Sequence, residues 1–313
     1  MPDDDAYSFH AARKQPQMTD ISFDRNFDAA PGAVSRLTPR IRRILCNNAG
    51  PFTFKGTSTF VVGQGQVAVI DPGPDDDLHL EALLHALRGE TVSHILVTHS
   101  HADHSPLAAK LKQATGATTL GWGPVAAAVG GGPRLDAGID RDFVPDERLR
   151  DGEVVTGKGW SIEAVFTPGH MSNHLCFALR EEQALFAGDH VMAWATSVIA
   201  PPDGDMGQYL ASLRKLLARD DAIYYPAHGP ARPDPLPLVR GYLAHRKMRE
   251  AAILQRIAAG DNTVAAIVAA IYAGIDPRLH GAAALSARAH LDHLEHQGLI
   301  ARRGGGYGIR PQP

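Results

Sequence analysis

The chain has 313 residues, of which 44% are apolar and 21% charged, and a net charge of −3. That length accommodates one large domain and a smaller one, the composition excludes a disordered chain, and the lack of any eighteen-residue apolar run excludes a transmembrane helix. Its two cysteines, Cys46 and Cys176, are too few and too far apart for a disulfide framework, so isolated thiols in a reducing compartment are expected.

Residues 1 to about 35 are polar and punctuated by Pro and Asp, which reads as a loosely ordered arm. Met1-Pro2-Asp3-Asp4-Asp5 has neither the basic region nor the apolar core of a secretory signal, so a cytoplasmic location is expected. The main domain is read over 36–232. Residues 57–62 and 66–70 form two strands of a hairpin around Gly63-Gln64-Gly65, and Asp71-Pro72-Gly73 ends the second. Residues 76–88 read as a helix with an acidic start and a basic end, stopped by Gly89. A strand over 92–97 leads into Thr98-His99-Ser100-His101-Ala102-Asp103-His104, and residues 106–113 make the next helix.

Three histidines and a carboxylate within six residues need partners. Imidazole nitrogen and carboxylate oxygen are preferred ligands of borderline divalent metals such as zinc. On an extended segment His99 and His101 face the same side. A turn into a helix would then aim Asp103 and His104 at a second point, an arrangement that suits two adjacent ions better than one. The alternative is a histidine-rich surface loop.

Further along, strands are expected at 118–120, 153–155, 160–167, 174–179, 184–188 and 222–225, with a helix over 206–218. Three more ligand types close such runs: His170 after Thr167-Pro168-Gly169, Asp189 after Ala187-Gly188, and His228 after Pro226-Ala227. Flanking Gly and Pro suit loops at the end of a sheet. Strands interleaved with helices give an α/β fold.

Pro230, Pro233, Pro235 and Pro237 mark a break, and residues 238–313 read as a helical linker and a second domain. Helices are expected over 238–259, 263–272 and 282–297, then strands at 299–303 and 307–310 around Gly304-Gly305-Gly306. Three helices followed by a glycine-turn hairpin resemble a winged helix. From Arg240 onward there are ten Lys/Arg and five Asp/Glu, leaving 21 against 29 in the remainder. Such a module could bind nucleic-acid phosphates, with Arg302 and Arg303 as the best contacts. The favoured alternative is a packing or homodimerisation module with a basic face.

The order His-x-His-x-Asp-His, distant His, distant Asp, final His, over roughly residues 40–230, resembles the metallo-β-lactamase superfamily. The resemblance implies an αβ/βα sandwich with the site on loops at one edge. It implies one metal on His99, His101 and His170, a second on Asp103, His104 and His228, and Asp189 bridging them opposite a water or hydroxide. Asp103 would also orient that nucleophile as a catalytic residue. His101 stands where the flavin-linked di-iron oxygen reductases of the superfamily carry glutamate, which disfavours a redox site. Zinc is the default pair, and iron or manganese would fit the same ligands. Asp71 is read either as a support for the ligands or as a plain turn residue; Ser58 stands where many relatives have Asn.

The winged-helix order and the run Tyr242-Leu243-Ala244-His245-Arg246-Lys247-Met248-Arg249-Glu250 are similar to a subgroup that includes the mitochondrial lactamase-like endoribonuclease and bacterial relatives. The leading expectation is a di-metal hydrolase of a small acyl substrate, a thioester or lactone. The alternatives are an endoribonuclease or phosphodiesterase and, behind it, a nucleic-acid-binding regulator with a vestigial fold, against which the complete ligand set counts. The acidic net charge disfavours a dedicated nuclease, the lack of an export signal an antibiotic-resistance role, and the C-terminus does not look like the glutathione-binding domain of glyoxalase II. His174 is expected to support the site, to line the pocket or to be a structural histidine, and His190 to point elsewhere. Trp122, Met192 and Trp194 either shape the pocket or pack in the core or its rim.

Overall fold

The computed structural model describes residues 21–125, 138–272, 274 and 280–311. Seven strands lie side by side in sequence order: β1 (Val34–Arg36), β2 (Ile41–Leu45), β3 (Ser58–Gln64), β4 (Gln66–Ile70), β5 (Thr91–Leu96), β6 (Thr118–Gly121) and β7 (Glu147–Arg148). The first four pair antiparallel, with Gln64 opposite Gln66 across the expected hairpin. The pairs from β4 to β7 are parallel. Parallel neighbours need crossovers, which α1 (Asp77–Ala86) and α2 (Leu107–Thr115) supply for β4–β5 and β5–β6. The Asp76 carboxylate caps α1 by accepting from the backbone N–H of Leu78 and His79.

A second sheet has six strands: β8 (Val154–Gly157), β9 (Trp160–Phe166), β10 (Leu175–Leu179), β11 (Ala184–Gly188), β12 (Ile223–Pro226) and β13 (Arg232–Pro233). Only β11 and β12 are parallel, joined through α3 (Met206–Leu217). Every residue of β10 and β11 is buried, which is why both read as continuous apolar runs without alternation.

The two sheets pack face to face. Phe60, Val62, Ile70 and Leu96 meet Trp160, Ile162, Phe177, Leu179 and Phe186 between them. Burial of an apolar side chain of this size contributes about 1.5–3 kcal/mol. The alternate residues Val61, Val69 and Ile95 face outward onto Leu83 of α1 and Leu111 of α2. On the far side, Val165, Cys176 and Leu185 pack against Leu210 and Leu213 of α3 and against Leu238 and Tyr242 of α4 (Leu236–Ala258). The result is the expected αβ/βα sandwich.

The remaining elements are α5 (Val264–Ile271), α6 (His280–His296), β14 (Ile300–Arg303) and β15 (Gly306–Ile309). Ile253, Leu254 and Ile257 from the second half of α4 join Ile267, Leu291, Leu294 and Ile300 in a separate small core. One 23-residue helix therefore serves two cores. Both cysteines are buried and free. Among the described residues, no helix is long and apolar enough to cross a membrane.

Residues 21–35 of the expected arm are mostly exposed, but Phe27 is buried, Ile21 and Phe23 lie against the second outer core, and Val34 opens β1. The adjoining β2 carries Arg42-Arg43 inside an apolar strand, which hides its period. Arg42 pairs with Glu90 at 2.6 Å, and the buried Arg43 guanidinium lies 4.4 Å from the Phe27 ring centre. Residues 1–20 lie outside the described residues.

Candidate metal centre

All seven ligand candidates stand on loops that follow the carboxyl ends of β5, β9, β11 and β12. Thr98 begins the first loop, and Asp71 at the end of β4 fixes it. Asp71 Oδ1 accepts from the Thr98 N–H at 2.7 Å, and Oδ2 accepts from the Thr98 hydroxyl at 2.7 Å. The Leu175 N–H donates to the Thr98 carbonyl at 2.7 Å, tying the two sheets together beside the motif. The turn then closes through the His104 N–H and the His101 carbonyl at 3.0 Å.

Two clusters result. His99 Nε2 lies 2.9 Å from His101 Nδ1, and His170 Nε2 lies 3.1 Å from the same atom. Nearby, Asp103 Oδ2 is 3.3 Å from both His104 Nε2 and His228 Nε2. Asp189 stands between the clusters. Its Oδ2 is 3.6 Å from His170 Nε2, and its Oδ1 is 3.2 Å from His228 Nε2 and 3.7 Å from His104 Nε2. Ligand-type atoms of His99, His101, His170 and Asp189 all lie within 4.8 Å of one another, as do those of Asp103, His104 and His228.

The rings are held from behind. His104 Nδ1 is 3.0 Å from Asp71 Oδ2, His99 Nδ1 is 2.9 Å from the Thr98 hydroxyl, and His170 Nδ1 donates to the Val198 carbonyl at 2.7 Å. Such contacts turn the other ring nitrogen toward a ligand. Of its two readings, Asp71 takes the supporting one. Its φ of 50° is a left-handed conformation that the three bonds hold in place.

The buried carboxylates and histidines set one another's charge. Burial opposes ionisation of Asp103, but His104 and His228 outweigh it and hold the carboxyl well below its usual range. Burial likewise opposes charge on His228, and Asp189 and Asp103 overcome it, lifting the imidazole to about 10. His104 is raised against burial by Asp103, Asp189 and Asp71. His99 is depressed by burial and by its histidine neighbours, so it stays neutral with a lone pair to offer. The residues fit a pair of divalent ions: the donor set is imidazole and carboxylate, and the buried His104 Nε2 and Asp189 Oδ1 form no hydrogen bond.

Other sequence candidates sort by contact. His174 is wholly buried; its Nε2 accepts from the Asp189 N–H at 3.2 Å and its Nδ1 meets the Thr167 hydroxyl at 3.0 Å. It supports Asp189 from a fully buried position. Gly188 precedes Asp189 with φ +50°, and a Cβ there would come within 2.6 Å of His174 Nε2. His190 points away, its ring centre 4.7 Å from that of Tyr209, and burial lowers it to about 3. Trp194 stacks on Phe54 at 4.9 Å beside Gly229, where a Cβ would lie 2.8 Å from the indole. Trp122 stacks on Phe166 at 3.6 Å against the inter-sheet core, and Met192 is buried. The Ser58 N–H donates to the Ala227 carbonyl at 2.8 Å, pinning the loop that carries His228.

Two residues escaped sequence reasoning. The Thr57 hydroxyl donates to Asp103 Oδ2 at 3.2 Å and accepts from Asn48 Nδ2 at 2.9 Å. Asn48 and Asp103 lie on opposite sides of β3, β4 and β5 in the chain, and a threonine at a strand edge carries no local signal of such a role. In the C-terminal hairpin, Arg302 is engaged by Glu295 at 3.0 Å and Asp292 at 3.1 Å, while Arg303 is exposed.

Residues 52–228 match the metallo-beta-lactamase superfamily, and residues 263–308 match the beta-lactamase associated winged helix domain. The atrochrysone carboxyl ACP thioesterase AgnL7 of Paecilomyces divaricatus is 36% identical over 225 residues, 69% of this chain and 64% of its own length. An atrochrysone carboxyl ACP thioesterase of Aspergillus terreus is 33% identical over 72% of this chain and 65% of its own length. The chain thus spans a little under two thirds of these curated relatives. A beta-lactamase domain protein from Burkholderia ambifaria shares the fold with a TM-score of 0.76 at 20% identity, covering 92% of this chain and 97% of that one. A His/Asp double cluster at the sandwich edge, the match over more than half of the chain and these relatives make one conclusion plain: the chain belongs to the metallo-β-lactamase superfamily, with an associated winged-helix domain behind the sandwich.

Proposed function

We propose that the protein is a di-metal hydrolase of acyl thioesters. The observation that carries the two-metal reading is Asp189, whose two oxygens face the two clusters separately. His99, His101 and His170 would hold one ion and Asp103, His104 and His228 the other, with Asp189 shared. Bound there, divalent ions supply a hydroxide near neutral pH and polarise the acyl oxygen. Asp103, kept ionised by His104 and His228 and steadied by Thr57, would orient the attacking water by accepting a hydrogen bond from it. Zinc suits the ligand set, and iron or manganese remain alternatives for metal analysis to distinguish.

The thioester class rests on the relatives named as ACP thioesterases. The endoribonuclease alternative is weakened, because Arg302, one of its two phosphate-contact candidates, already faces two carboxylates of its own chain, while Arg303 is exposed. Purified protein is expected to carry about two metals per chain. It should hydrolyse acyl-carrier-protein or other thioesters in a panel that includes lactones, β-lactams and single-stranded RNA, with His101→Ala as the inactive control. A metal content near zero after mild purification, with no metal-dependent activity, would overturn the enzyme reading.

A further inference from the structure

The segment from 190 to 199 follows Asp189 without a regular helix or strand, so its carbonyls need donors from elsewhere. Ser197 Oγ within the loop serves the His190 carbonyl and the Asp24 N–H serves that of Ala193, and further donors come from two helices on the outer face of the second sheet. The buried Tyr209 of α3 donates its hydroxyl to the His190 carbonyl at 2.9 Å. The wholly buried Tyr242 of α4 sets its hydroxyl between the Met192 carbonyl, at 2.6 Å, and the Ala195 carbonyl. One turn further along α4, the buried Arg246 donates through Nη2 to the Ser197 carbonyl at 2.5 Å. The next residue is Val198, whose carbonyl accepts from His170 Nδ1 at 2.7 Å.

This places an unbroken series of contacts from α4 to a metal-site histidine. A proton held on Nδ1 by Val198 leaves the His170 Nε2 lone pair facing His101 and Asp189. The position of that carbonyl sets the ring, and Tyr242 and Arg246 set the position of the carbonyl. Ligand geometry tolerates errors of only about 0.5 Å, which an untied loop would exceed. The same helix continues through Glu250, 3.4 Å from His290 of α6, so the winged-helix module and the metal edge share one rigid element.

We infer that Tyr242 and Arg246 are positioning residues for the metal held by His170, acting through the 190–199 loop. The inference rests on the reading of His170 as a ligand. The test is metal retention by the full chain during titration with a chelator, measured beside the melting temperature of the metal-free protein. Tyr242→Phe removes one hydroxyl, Arg246→Met removes the donor, and Arg246→Lys restores a cation. Glu250→Gln, on the same helix but facing α6, is the control for mere destabilisation.

Tyr242→Phe and Arg246→Met should each release one of the two ions about tenfold more readily, with partial recovery in Arg246→Lys. Glu250→Gln should retain metal like the parent even where it melts lower. Unchanged retention in Tyr242→Phe and Arg246→Met overturns the inference, and should Arg246→Met fail to fold, Tyr242→Phe alone decides. His170→Ala separates the two levels of the argument. If it retains both ions, the ligand reading itself is wrong; if it loses one while Tyr242→Phe does not, only the positioning role fails.

Discussion

The two ends of the molecule use charge in opposite ways. At the metal edge, three carboxylates and five histidines are buried, and two of their polar atoms form no hydrogen bond. In the C-terminal hairpin, the cation of Arg302 is more than half exposed and already neutralised by Asp292 and Glu295. Burial without full satisfaction is costly and persists where something else completes the set. Exposed and self-paired charge costs little and needs no ligand. The contrast supports the proposal that the sandwich edge is the chemical site and leaves the basic balance of the C-terminal module a weak argument for nucleic acid.

The sharpest way to break this contrast is at the ligands. His101→Ala should lower thioester hydrolysis on the order of 10³-fold, together with metal content by mass spectrometry; activity near the parental level would remove the metal edge from the mechanism. One layer out, Asp71→Asn replaces a carboxylate that accepts from Thr98 and faces His104. Metal affinity should fall roughly 10–100-fold in chelator competition, and parental affinity would reduce Asp71 to a turn residue.

A pH test probes the cluster directly. His228 is raised to about 10 in the metal-free protein, so its protonated form stabilises the fold fully below the unfolded value of 6.5. That contribution is lost as pH rises from 6.5 through 10. The melting temperature of chelator-treated protein should therefore fall across this window, and that of metal-loaded protein should fall less. A flat metal-free profile would show that Asp189 and Asp103 do not hold that proton. The smallest effect is expected at the far end. Arg302→Ala should change stability by about 0–1 kcal/mol and leave thioester turnover unchanged. A loss of RNA retention in gel-shift assays with this variant would restore the nucleic-acid reading.

Much of this was legible in the sequence, for particular reasons. The hairpin about Gly65, the acidic cap of α1 and the runs of β10 and β11 follow from local preference and period, and their ends fall within a residue or two of expectation. The strand β2 was not legible, because Arg42 and Arg43 interrupt the apolar pattern and are accommodated through Glu90, the Ala86 carbonyl and Phe27. The anchoring of Asp24 and Phe27 was equally hidden. The Asp24 N–H donates to the Ala193 carbonyl, a partner nearly 170 residues away.

The seven proposed ligand residues, their order and their positions at strand ends were set by the sequence alone, since ligand chemistry depends on residue type and strand ends on short-range pattern. What only the tertiary structure decided is which atoms face which. The split of the Asp189 oxygens between two clusters, the support of Asp103 by Thr57 and the tie from Arg246 through Ser197 and Val198 to His170 arise where distant segments are packed together. Side-chain direction within a loop is under-determined by local propensity, and burial among neighbours from both sheets and from α4 leaves it one orientation.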